Sequence, residues 1–138
     1  FEKYNKFGTV LNTDSSEDNG RHWYALFVEK DDKNKTISIE YFNSVLEKYD
    51  KNILRWIQET RRLLSDEPKY KQYTIQCLPC QNLLEHCTRY NIQKNNWSCG
   101  VYSICFILFR VLGVEYNKIL SSINDDVICC MRNYLYKA

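Results

Sequence analysis

A thiol, an imidazole and two side-chain amides stand where they could make a nucleophilic site. The thiol lies in Gln93-Lys94-Asn95-Asn96-Trp97-Ser98-Cys99-Gly100-Val101-Tyr102, a polar loop that ends in a Cys-Gly pair and runs straight into an apolar segment. From Gly100 to Leu112 the only charge is Arg110, which predicts a helix buried on nearly all sides, with Cys99 in its first turn. There the unpaired N–H groups and the positive end of the helix dipole favour a thiolate, the reactive form. Gly100 leaves room for another backbone to come close. Gln93 offers amide N–H groups that can fold back beside the sulfur and face a developing oxyanion.

A cysteine nucleophile needs a base, and His22 is one of only two histidines. It stands at the mouth of Trp23-Tyr24-Ala25-Leu26-Phe27-Val28, an apolar run of strand length that predicts a central strand covered on both faces. Thr36 to Phe42 alternates as its antiparallel partner, and Asn43 closes that second strand. Antiparallel pairing brings His22 and Asn43 to one edge of the sheet. The imidazole can then take the Cys99 proton while the Asn43 oxygen accepts the other ring N–H and fixes the tautomer. The chemistry is acyl transfer through a thioester. His86 is the alternative base, and Glu40, on the same strand face as Phe42, the alternative orienter.

Around these stretches the pattern predicts an irregular arm over residues 1–8, a short strand over 9–12 and a turn-rich loop to Gly20. Ser44-Val45-Leu46-Glu47 has the pattern of a capping box and opens a helix over about 45–65, with Tyr49, Ile53 and Trp56 on its core face and Arg61-Arg62 on its solvated face. Further strands are expected over 72–76 and 89–93. After the buried helix stops at Gly113, helices over about 115–123 and 126–136 finish the chain, with Cys129-Cys130 in the core. The class is α+β: a small mixed or antiparallel sheet packed against helices, with the nucleophile at the N-terminus of a buried central helix.

At 138 residues, 44% of them hydrophobic, one domain over 1–138 is expected. A net charge of +2 with interleaved signs gives no electrostatic reason for a nucleic-acid or membrane partner. No apolar run is long enough to span a bilayer, and no basic-then-apolar leader is present. The start at Phe1 reads as a fragment or processed product. Seven scattered cysteines, an odd number, point to a reducing, intracellular compartment. Cys77, Cys80, His86 and Cys87 could form a zinc site, but adjacent His86 and Cys87 could both ligate only from a loop. Core or surface cysteines are the expected reading, with no metal and no cofactor.

His22-Trp23, the Asn43-Ser44 pair after a strand, and Gln93 six residues before Cys99-Gly100 resemble the signature of the cysteine proteases that include the adenovirus endopeptidase and the SUMO-specific proteases. Phe7-Gly8-Thr9-Val10-Leu11-Asn12-Thr13-Asp14 and the run from Cys99 to Ile107 look most like the polyprotein-processing proteases of large DNA viruses, of the African swine fever virus type. The resemblance implies a His22, Asn43 and Cys99 triad, Gln93 as oxyanion donor, and Trp23 and Trp97 as substrate-binding rings. It implies cleavage of a protein substrate after Gly-Gly-x or Gly-x motifs, in the host cytoplasm or the virion. Asn43 stands where the SUMO-specific branch has Asp, Ser98 where an acidic or other polar residue often precedes the cysteine, and an N-terminal arm that relatives use for substrate is expected to be missing. Nucleic acid as a cofactor is implied only by the adenovirus branch. A deubiquitinating or deSUMOylating isopeptidase and a non-enzymatic binding module, zinc-stabilised or not, are the alternative readings.

Overall fold

Strands β1 (Lys6–Asn12), β2 (Trp23–Asp31) and β3 (Thr36–Phe42) form an antiparallel meander, and β4 (Thr74–Leu78) joins β3 in parallel. The sheet is mixed, in the order β1-β2-β3-β4. The computed structural model describes residues 3–12, 22–45, 51–79 and 91–136. A parallel pair needs a crossover, and α1 (Lys51–Asp66) lies within the one that links β3 to β4. Three helices follow: α2 (Cys99–Val111), α3 (Tyr116–Ser122) and α4 (Asp125–Leu135).

The apolar run of β2 is continuous because both of its faces are covered. Ala25 and Phe27 join Phe42 in a core with Val101, Tyr102, Cys105 and Phe106 of α2 and residues of α3 and α4. Tyr24, Leu26 and Val28 face the other way, with Ile37, Ile39 and Tyr41 against Ile53 and Ile57 of α1. The Phe42 and Phe106 rings stack at 4.5 Å, and Tyr116 donates its hydroxyl to the Tyr41 carbonyl at 2.9 Å. At Gly8 of β1 an added Cβ would meet Ile107 of α2 at 2.9 Å, so the missing side chain lets the helix seat on the sheet.

The apolar helix α2 and the alternating strand β3 each carry one buried charge, and the two charges meet. Arg110 of α2 reaches Glu40 of β3 through Nε at 2.7 Å and Nη2 at 2.8 Å, and Glu29 of β2 at 2.5 Å. Burial pushes the Glu40 carboxyl up, opposed by Arg110 and Ser38. Deleting one partner of such a pair costs about 3–5 kcal/mol, since the other is left buried and uncompensated. Glu40 is thus committed to Arg110 and Ser38, which removes it as orienter of the histidine.

Several other expectations need correction. The arm over residues 1–8 is strand from Lys6, because β2 runs on to Asp31 and supplies ladder partners as far as Glu29. Residues 91–93 are not strand: the Ile92 and Gln93 N–H groups both go to the Ser44 carbonyl. Trp56 is 36% exposed and Cys130 is exposed, while α2 leaves Leu108, Val111 and Leu112 in solvent at its far end. Arg62 lies on the solvated face as expected, paired with Glu59 and Asp66. The described helix begins at Lys51; Leu46 to Asp50, including Glu47 and Tyr49, lie outside the described residues. Of the zinc candidates Cys77 is buried in the core facing α1, and Cys80, His86 and Cys87 lie outside the described residues, as does the alternative base His86.

Candidate active site

β3 ends at Phe42, which pairs with Ala25, so Asn43 and His22 both lie just past one end of the two central strands. The expected meeting place is therefore the end of the strands, not a lateral edge of the sheet. His22 Nε2 and Asn43 Oδ1 are 2.7 Å apart. The amide orientation is fixed independently, because Oδ1 also accepts the Val45 N–H at 3.0 Å and Nδ2 donates to the Tyr41 hydroxyl at 3.3 Å. With an oxygen facing it, Nε2 must be the protonated ring nitrogen, which leaves the lone pair of the neutral ring on Nδ1.

Cys99 is the first residue of α2, preceded by Ser98 as the flanking cap position. The helix is pinned beside the histidine by Ser103, whose hydroxyl donates to the Trp23 carbonyl at 3.1 Å. Burial pushes the Cys99 thiol up. The hydrogen bond with His22, backbone hydrogen bonds from Trp23 and Gly100, and the imidazole charge together outweigh it, so the thiol lies below its ordinary value. His22, Asn43 and Cys99 thus form one connected set.

Gln93 is buried beside them and held at both ends of its amide. Ser44 donates its hydroxyl to Oε1 at 2.6 Å, and Nε2 donates to the Asn95 carbonyl at 2.6 Å and more distantly to Asn95 Oδ1 at 3.3 Å. Ser44 therefore spends its hydroxyl proton on Gln93, where the sequence pattern reads a helix cap. Adjacent residues at the end of β3 hold the base and the amide: Asn43 grips His22 and Ser44 grips Gln93.

Two organising residues escape sequence reading. Asn95 Oδ1 accepts the Trp97 N–H at 3.1 Å, the Ser98 N–H at 3.0 Å and the Ser98 hydroxyl at 2.6 Å, shaping the turn that enters α2. Its signal was the Asx-turn propensity of an Asn two residues before the turn it closes. Asp125, in the first turn of α4, accepts the Lys94 and Asn95 N–H groups and the Tyr102 hydroxyl, the last at 2.8 Å. No local pattern announces that contact.

A cleft of about 510 Å³ opens beside the first turn of α2, lined by Trp23, Trp97, Gly100, Ile104, Arg132 and Tyr136 among others. Both tryptophans expected to touch substrate are on it, 39% and 49% exposed. The close neighbour of Gly100 is the Trp23 indole, 3.5 Å from where a Cβ would stand, and not another backbone. Among the described residues, no helix is long and apolar enough to cross a membrane.

The model of the Ulp1 protease family, C-terminal catalytic domain, matches residues 9–138. The chain is 32% identical over 134 residues to the SUMO-1 cysteine protease of an African swine fever virus isolate, a match covering 96% of this chain and 44% of that protein. A cysteine protease from another strain of the virus matches to the same extent. A crystal structure of the African swine fever virus protease superposes with a TM-score of 0.73 at 32% identity, over 97% of this chain and 45% of that one. The SUMO protease Ulp1, with its catalytic cysteine oxidised to a sulfonic acid, superposes with a TM-score of 0.56 at 20% identity, over 97% and 52%, a likeness of fold. The chain spans less than half the length of the curated relatives it matches.

Proposed function

The chain belongs to the Ulp1 protease family, whose fold it shares, and from that premise we propose that it is a cysteine endopeptidase that processes viral structural polyproteins after Gly-Gly-x or Gly-x motifs. The observation that carries the catalytic reading is the set of His22, 2.7 Å from Asn43, and Cys99 at the start of α2, whose thiol His22 helps to lower in spite of its burial. His22 Nδ1 takes the Cys99 proton, and the sulfur attacks the scissile carbonyl. The tetrahedral oxyanion is met by the Cys99 backbone N–H and by Gln93. One Gln93 N–H is committed to the Asn95 carbonyl; the other faces an oxygen that already accepts three shorter bonds, and is the one available to the oxyanion. The imidazolium then protonates the leaving amine, a thioester remains on Cys99, and water activated by His22 releases the acid.

The viral substrate class is supported by the similarity to the African swine fever virus protease over nearly the whole chain. A reducing intracellular compartment suits a mechanism that needs a free thiolate. A second reading, hydrolysis of ubiquitin-like conjugates, is favoured by the name SUMO-1 cysteine protease carried by relatives from three isolates of the virus. Incubation with Gly-Gly-x peptides and, separately, with SUMO and ubiquitin bearing C-terminal electrophiles separates the two. Peptide cleavage with no adduct supports the polyprotein reading. An adduct on Cys99 without peptide cleavage overturns it in favour of the isopeptidase, and neither outcome speaks for a binding module.

A further inference from the structure

Arg132 has no part in the mechanism above, yet it lines the cleft beside the first turn of α2. It projects from α4 on the same face as Tyr136, one turn on, which lines the cleft too. Its guanidinium lies over the Trp97 indole, 4.6 Å from the ring centroid. Such stacking fixes the plane of the guanidinium and leaves its N–H edges pointing outward as a fork that fits a carboxylate. The Trp97 backbone N–H is held by the Asn95 side chain, which fixes the turn that carries the indole. Among the described residues no carboxylate pairs with Arg132, whereas Arg62 and Arg110 both have acidic partners.

The rest of the described lining is mainly apolar, with Val10, Trp23, Val101 and Ile104, and among the described residues the guanidinium is its one cation. Its lining adjoins the reactive centre along the chain, because Trp23 follows His22, and Gly100 and Val101 follow Cys99 at the start of α2. A substrate chain laid across the thiol can therefore reach it. We propose that Arg132, stacked on Trp97, forms a subsite for an acidic side chain of the substrate, close to the scissile bond. The inference rests on the protease reading for its occupant and adds a specificity determinant to it.

Binding to Cys99→Ala protein tests the subsite without requiring turnover. Gly-Gly-containing decapeptides are made with Glu or with Gln at each flanking position in turn, and their affinities are measured by fluorescence anisotropy. Glu at one position is expected to bind about tenfold tighter than Gln, as a charge-assisted hydrogen bond to Arg allows. That advantage shrinks with added salt. It is expected to vanish when Arg132→Gln is added to Cys99→Ala, and to pass to a Lys peptide when Arg132→Glu is added. Arg132→Lys keeps the charge but loses the planar fork, and should retain about a threefold preference. Each result is a ratio on one protein, so a general loss of affinity divides out. No peptide binding at all, no Glu-over-Gln difference at any position, or a difference that survives Arg132→Gln overturns the subsite. Cleavage by the unaltered chain is read separately: an intact Glu preference with no cleavage overturns the protease reading and leaves the subsite standing.

Discussion

Cys99 and Cys105 sit on one helix, less than two turns apart, and both are buried, at 8% and 0% exposure. Burial pushes both thiols up. Nothing opposes it at Cys105, which is pushed to about 11. At Cys99 the same penalty is overcome by His22 and by the backbone of Trp23 and Gly100. Cys77, in the core on the other side of the sheet, behaves like Cys105 and is raised by burial. An apolar helix therefore only carries a cysteine into place, and its reactivity comes from the end of the β2–β3 pair to which it is delivered.

Exchanging each thiol for a methyl gives the widest separation. Cys99→Ala is expected to reduce kcat for peptide hydrolysis by about 10⁶-fold, as loss of a nucleophile does. Cys105→Ala should leave kcat within about twofold and lower stability by about 1–2 kcal/mol through a small cavity. Steady-state rates and thermal unfolding read the two, and equal rate losses would end the distinction. His22→Ala should move Cys99 toward the behaviour of Cys105. With the histidine gone, its hydrogen bond and charge no longer oppose burial, so the thiol pKa moves up, while the backbone bonds from Trp23 and Gly100 remain. The pH profile of iodoacetamide labelling should shift to higher pH accordingly, and kcat should fall by about 10²–10⁴-fold. Labelling of Cys99 that persisted unchanged near neutral pH would show that the helix dipole alone activates it.

Gln93→Ala sharpens the contrast from another side by separating activation of the thiol from stabilisation of the oxyanion. It is expected to lower kcat by about 10²–10³-fold, with Cys99 labelling unaltered. A kcat that did not move would remove Gln93 from the oxyanion hole while leaving Cys99 as nucleophile. The smallest effect belongs to Ser44→Ala, which removes the hydroxyl donor to Oε1 of Gln93 but leaves the backbone bonds to the Ser44 carbonyl in place. About a fivefold loss in kcat is expected for one such hydrogen bond, with KM and labelling little changed. A drop in KM-limited rate alone would point to the cleft instead.

Much of this was readable before any coordinates. The unbroken apolar run of β2 announces a strand covered on both faces, and the abrupt change from polar to apolar at Cys99 marks the start of α2. Other elements depended on partners that local patterning does not name. Residues 91–93 have strand-like composition, yet the Ile92 and Gln93 N–H groups find a single carbonyl, that of Ser44, in place of a ladder. Lys6 to Gly8 look irregular and become strand because β2 is long enough to pair with them. Trp56 has helical spacing suited to the core but stands 36% exposed at the margin of α1.

By itself, the sequence determined the residue types of the site, their order along the chain and the helix terminus that carries the thiol, because periodicity and capping are local properties. Only the tertiary structure decided that Nε2 of His22 carries the ring proton, since the Asn43 oxygen faces it. It alone joined Arg110 to Glu40 across seventy residues, Ser44 to Gln93, and Asp125 to the loop before Cys99. Such contacts are chosen by where packed elements place donors and acceptors, and buried polar groups must then take the partners that packing provides.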